Sequence, residues 1–234
     1  MAVESFQPGS PPARSRNRLT GRRSQAVFET IQREILLGEL KSRDVLLELD
    51  LAQRFDCSQS TVREALLRLQ EDGLVNRMSQ RGTIVADCNG DDAQELLRIR
   101  HDIECRGVAR AIERWTPAYQ AALDTELAAM RQAARQGDEF TLSVHDRQFH
   151  VTLFSAAELP AVVPLLSRCL LHNHRYKIAG SAPNRALAET ADRHVAIMDA
   201  MASGNAEAAK AALSHHIATI VDFGPSIIGS ESPS

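Results

Sequence analysis

The stretch Ser58-Gln59-Ser60-Thr61-Val62-Arg63-Glu64-Ala65-Leu66-Leu67-Arg68-Leu69-Gln70-Glu71-Asp72-Gly73-Leu74-Val75 decides the fold of the first third of the chain. Its opening serine is a helix-capping residue, Val62, Leu66 and Leu69 keep one apolar face, and Gly73 stops the run. Upstream, Asp56-Cys57-Ser58 makes a tight turn after a short helix over Leu46 to Phe55, and Ala26, Ile31, Ile35 and Leu36 mark an earlier helix that stops at Gly38. Downstream, Leu74 to Met78 and Thr83 to Ala86 flank Ser79-Gln80-Arg81-Gly82 as a small hairpin. Helix, helix, helix, hairpin predicts a winged helix-turn-helix.

The whole chain has 234 residues, 27 Lys+Arg against 30 Asp+Glu and 44% hydrophobic residues, enough for one large domain or two small ones. No apolar run reaches the roughly 18 to 20 residues that span a bilayer, and the N-terminus is rich in Pro, Ser and Arg where a secretory segment would be apolar. The chain is therefore expected in the cytoplasm, with no membrane partner. Cys57, Cys88, Cys105 and Cys169 form no CxxC pair and are expected as reduced thiols.

A net charge of −3 argues against nucleic acid until it is split by segment. Residues 1–23 carry Arg14, Arg16, Arg18, Arg22 and Arg23 against Glu4 and no apolar periodicity, which predicts a flexible basic arm. Residues 24–89 make the winged module. All eight histidines and 27 of the 33 alanines follow residue 90, so a second module of different chemistry spans 90–223, with a flexible tail over 224–234. Asn89-Gly90-Asp91-Asp92 supplies turn chemistry and then acids suited to a helix start. Helices are expected at about 91–114, 117–136, 138–156, 160–179, 184–203 and 205–222, an all-α six-helix bundle punctuated by Pro117, Gly137, Pro160, Gly180, Pro183 and Gly204. The fold class is mostly α.

In the winged module the third helix would offer Gln59, Ser60, Thr61 and Arg63 to a major groove. Arg63 can bridge a guanine edge and Gln59 suits adenine, while Arg81 and Gly82 at the hairpin tip would reach a minor groove. Taken singly, each arginine is as well explained as a solvated surface charge. The ordered segments Ile35-Leu36-Leu37-Gly38, Leu51-Ala52, Ser58 to Leu66, Leu69 to Val75 and Arg81 to Val85 resemble the DNA-binding domain of GntR-family transcription regulators. That resemblance implies double-stranded operator DNA as a partner. Two positions depart from the family pattern: Ser42-Arg43 stands where Pro-Gly is usual, and Gln59-Ser60-Thr61 where Arg-Thr-Pro is common.

In the helical module Asp146 and His150 stand four apart on one helix face. His194, ten residues before Gly204, and His216, twelve after it, can meet across an antiparallel pair. One carboxylate and three imidazoles suit Zn, Ni, Mn or Fe, although buried histidines are also ordinary hydrogen-bonded core residues. Arg100-His101-Asp102-Ile103-Glu104, Asp146 to His150, Arg193 to Ile197 and His215-His216 resemble the FCD-type effector domain of FadR-like GntR regulators. The resemblance implies that Asp146, His150, His194 and His216 hold a divalent metal, Zn favoured. His215 points about 100° away from His216 and is the weaker candidate. His172 and His174 cannot both face one site, being two apart. Arg100 can grip an effector carboxylate or pair with Glu104 four residues on, and Asn173 can add a polar contact to the effector.

These features predict a ligand-responsive transcription regulator, expected as a repressor and a homodimer, answering to a small carboxylate effector and not acting as an enzyme. The alternatives are a metal-dependent hydrolase, since such ligands can activate water, and a ligand-independent DNA-binding protein.

Overall fold

The structure, a computed structural model, describes residues 13–78, 82–180 and 186–220, with side chains from residue 21 onward. The chain divides into two compact units, one ending at Ala86 and one beginning at Asp87, with Leu36–Gly38 grouped with the second.

The first unit holds α1 (Ala13–Leu36), β1 (Val45–Leu46), α2 (Glu48–Arg54), α3 (Gln59–Glu71), β2 (Val75–Met78) and β3 (Gly82–Val85). Ser58 caps α3 by accepting the Thr61 N–H at 3.2 Å, and Val62, Ala65, Leu66 and Leu69 are buried on its inner face. Residues 13–23, expected in a flexible arm, continue α1 instead. Arginine is a strong helix former, and a helix already nucleated by a packed segment extends without an apolar stripe. Residues 1–12 of that arm and the expected tail lie outside the described residues. The hairpin is joined by a strand absent from the sequence reading: β1 pairs antiparallel with β3, giving the order β1-β3-β2. Two residues are too few to produce an alternation signal.

The second unit is helical: α4 (Gly90–Glu113), α5 (Pro117–Gln136), α6 (Glu139–Ser155), α7 (Val163–Gly180), α8 (Leu187–Asp192), α9 (Val195–Ala202) and α10 (Ala206–Ala218). Asn89, Thr116, Asp138 and Asn205 cap α4, α5, α6 and α10 through their side chains. Val108, Leu123, Met130, Phe149, Leu153, Ile197, Met201 and Leu213 form one apolar cluster, each such side chain stabilising by roughly 1.5–3 kcal/mol when fully buried. Ala111, Ala191 and Ala209 are buried among them, short enough to let helices approach closely.

One expectation is corrected here. The single helix over 184–203 is two, α8 and α9, broken at Arg193-His194. The His194 N–H reaches Ala191 O at 3.2 Å rather than the carbonyl four residues back, and the His194 ring Nδ1 lies 3.1 Å from the Thr190 carbonyl so released. A side chain inserted into the hydrogen-bond ladder is what breaks the helix. Among the described residues no helix is long and apolar enough to cross a membrane.

Candidate functional site

The second unit buries an unusual set of polar side chains, all at positions where the helix pattern calls for apolar ones. On α4 the inward stripe runs Ala93, Leu97, Arg100, Glu104, Val108, Ala111, so an arginine and a glutamate occupy two core positions. On α6 it runs Leu142, Asp146, Phe149, His150, Leu153. Asn173 and His174 take the same role on α7 and His216 on α10.

These groups converge. The ligand atoms of His150, His194 and His216 all lie within 4.8 Å of one another. The His150 and His216 Nε2 atoms approach to 3.2 Å. Asp146 borders the trio, Oδ2 at 3.5 Å from His194 Nε2 and Oδ1 at 3.9 Å from His150 Nε2. All four residues expected from the sequence are therefore brought together. Two of the imidazoles are set with a bare nitrogen facing inward. Glu104 Oε2 lies 2.6 Å from His150 Nδ1, and the Thr190 carbonyl accepts from His194 Nδ1, so each ring carries its proton on the outer nitrogen. His194 Nε2 is buried without a hydrogen-bond partner among the described residues.

Electrostatics follow from burial. Loss of water holds His194 at about 4 and His216 well below its ordinary value, so both are neutral at pH 7, the state a metal requires. Burial would raise the Asp146 carboxyl, but His174, His194 and His150 outweigh it and hold it well below the usual range. Glu104 behaves likewise: burial is outweighed by His150 and Arg100, which keep it at about 2.

Arg100 makes the pair with Glu104 that its spacing allows. Its Nε donates to Glu104 Oε1 at 2.6 Å, while Nη1 and Nη2 are buried with no partner among the described residues. A buried guanidinium with both terminal nitrogens unspent has the donors to take a bidentate anion. Asn173 is committed on one side, Nδ2 donating to the Ala93 carbonyl at 3.1 Å, and its buried Oδ1 has no hydrogen-bond partner among the described residues. His215 is exposed. The sequence reading missed Glu104 as a partner of His150 and left His174 unassigned. Both stand at core-stripe positions, the signal that could have found them.

The first unit presents a different surface. Gln59 and Ser60 are exposed at the start of α3, and Gly82 opens β3 with φ +77°, a conformation that favours glycine. Arg63 is exposed and rests on Glu48, Nη2 to Oε2 at 2.6 Å, with Arg77 Nη2 3.5 Å from the same carboxylate. Thr61, expected to face the groove, is instead 3% exposed, its hydroxyl 2.9 Å from Ser58 Oγ. It stands four residues before Ala65 on the packed face, so the capping serine turns it inward. Arg81 lies outside the described residues.

Two family profiles match the sequence: bacterial regulatory proteins of the gntR family over residues 23–85, and the FCD domain over residues 95–219. The HTH-type transcriptional regulator BphR of Paraburkholderia xenovorans is 27% identical over 201 residues, 82% of this chain and 81% of its own length. LutR of Bacillus subtilis is 28% identical over 206 residues, 79% of this chain and 93% of its own. Among solved structures, Escherichia coli McbR superposes with a TM-score of 0.69 at 23% identity, covering 83% of this chain and 93% of its own. A GntR transcriptional regulator from Rhodococcus gives 0.67 at 26%, covering 87% of this chain and all of its own (100%). The relatives and both families are transcription regulators, not enzymes, which sets aside the metal-dependent hydrolase.

Proposed function

Because the chain belongs to the FCD-domain regulators of the bacterial gntR family, a family of DNA-binding transcription regulators, we propose that it is a metal-dependent, effector-responsive repressor acting on operator DNA in the cytoplasm. The observation that carries this reading is the buried network of Glu104: one carboxylate oxygen meets Arg100 and the other meets His150. Arg100 keeps two terminal nitrogens unspent beside imidazoles whose inner nitrogens are bare.

Asp146, His150, His194 and His216 would hold a divalent ion, and the fit rests on this chain's donor set: three converging imidazoles, of which His194 and His216 are neutral at pH 7, an ionised carboxylate, and a buried His194 Nε2 with no hydrogen-bond partner among the described residues. Nitrogen-rich ligation by three histidines favours Zn. Bound there, the cation supplies positive charge and open coordination to an incoming carboxylate. Arg100 binds that carboxylate through its fork, Glu104 orients both Arg100 and His150, and Asn173 Oδ1 accepts from a ligand hydroxyl or amide. A small organic acid satisfies these demands.

Operator binding falls to the first unit, through Gln59, Ser60 and Arg63 on α3 and Arg81 and Gly82 at the wing, with Thr61 supporting the helix start. One winged helix has a small footprint, so a homodimer on paired half-sites supplies affinity and two-fold symmetry. Effector binding shifts the population of operator-competent dimers.

Native mass spectrometry with metal analysis of the purified protein tests this reading. A dimer carrying one divalent ion per chain, whose operator complex is altered by a small carboxylate, is the expected result. A metal-free protein whose operator binding no organic acid changes would overturn it in favour of a ligand-independent DNA binder.

A further inference from the structure

His174 is the buried imidazole that the site as described does not use. It stands on α7, 3% exposed, with Nε2 3.1 Å from Asp146 Oδ1. On its other side Arg147 Nη1 lies 3.4 Å from Nδ1 and donates to Ser143 Oγ at 3.1 Å. A guanidinium can only donate, so Nδ1 of His174 is the acceptor and the ring proton sits on Nε2, facing Asp146. His150 and His194 are arranged the opposite way, with protons spent on Glu104 and Thr190 and bare nitrogens inward. His174 therefore turns an N–H toward the carboxylate where those rings turn a lone pair toward the centre.

We propose that His174, oriented by Arg147, is a positioning residue of the candidate metal centre: its Nε2–H holds Asp146 Oδ1 and leaves Oδ2 as the single oxygen this carboxylate offers to the ion. The proposal rests on the metal reading above. The N–H is close to Oδ1 without being aligned on it, for Oδ1 has no aligned hydrogen bond among the described residues. The contact is thus a charge–dipole one, and it is what distinguishes the two oxygens: Oδ1 stands 3.1 Å from His174 Nε2 and 3.9 Å from His150 Nε2, while Oδ2 faces His194 Nε2 at 3.5 Å. A carboxylate held through one oxygen loses rotational freedom before the ion arrives, which raises affinity without adding a ligand.

The test uses the full chain and Zn(II) alone, with affinity read by competition against a chromophoric chelator. His174→Ala is expected to weaken Zn(II) binding roughly 10–100-fold, and His174→Gln, whose amide N–H can reach the same oxygen, to restore most of it. Arg147→Met, at a half-buried position, covers the case in which His174→Ala does not fold. It is expected to weaken Zn(II) several-fold by freeing the imidazole. Pulsed EPR of the Cu(II)-loaded proteins should count as many coordinated imidazoles in His174→Gln as in the parent chain. Affinity unchanged in His174→Ala, or in Arg147→Met where His174→Ala is unfolded, overturns the proposal while leaving the metal reading intact. Loss of one coordinated imidazole in His174→Gln also overturns it, by making His174 a ligand. A parent chain that takes up no Zn(II) removes both.

Discussion

Glu104 and His150, 46 residues apart in sequence, meet at 2.6 Å between Oε2 and Nδ1 with both side chains fully buried. The same carboxylate receives Arg100 Nε at 2.6 Å, so one side chain on α4 ties a buried guanidinium to a candidate metal ligand on α6. Replacing Glu104 by Ala strips a buried guanidinium of its counter-charge, a change that typically costs about 3–5 kcal/mol. Urea denaturation of metal-free protein should register a loss of that order. A loss under about 1 kcal/mol would mean that the ion pair is compensated elsewhere.

Arg100→Lys keeps the charge and removes the fork. Metal uptake should stay near that of the parent chain while the response of operator binding to carboxylates is lost. Retention of the full response in calorimetric or gel-shift titrations would show that the guanidinium is not the receptor.

The histidines impose a pH dependence of defined sign. His174 and His194 sit at about 4 in the folded chain because burial disfavours their charged forms, against 6.5 ordinarily. Between these values the unfolded chain takes up protons that the folded chain refuses, so stability is greatest above pH 6.5 and falls toward pH 4. Asp146 and Glu104 are depressed, so their contribution is whole above about pH 4.5, where the unfolded glutamate begins to protonate, and is lost progressively below it. The melting temperature of metal-free protein should drop from pH 7.5 to pH 5, roughly the upper part of that window. His174→Gln should flatten the slope.

Arg63 leans on Glu48 in the free protein, and the pair is exposed. Exposed pairs are weak, of order 0–1 kcal/mol, so a phosphate or guanine edge can displace the carboxylate. Arg63→Ala should weaken operator binding about tenfold or more, and Glu48→Gln should strengthen it modestly, most clearly at low salt. Fluorescence anisotropy across a salt series checks both, and equal salt slopes for Arg63→Ala and the parent chain would count against a phosphate contact.

Gly107 faces the ring of Phe154, and a Cβ there would stand 2.4 Å from its Cε2. Phe154 is buried, so its ring would have to shift to make space. Gly107→Ala should destabilise by roughly 1–3 kcal/mol through overpacking, measurable by chemical denaturation with metal and DNA absent.

The sequence by itself determined the order of helices, the winged hairpin, the cap at Ser58 and the placing of Asp146 and His150 on one helix face, because these follow from local periodicity, turn chemistry and i to i+4 spacing. Only the tertiary structure decided the rest. It broke the helix at His194, where the buried ring rather than the backbone N–H takes the Thr190 carbonyl. It turned Thr61 away from solvent, and it tied Arg63 to Glu48 across 15 residues. It also brought His174 to Asp146 from another helix. Contacts of this kind depend on which faces of separate helices meet, and helix rotation within a bundle is set by packing over the whole core, which no window of sequence contains.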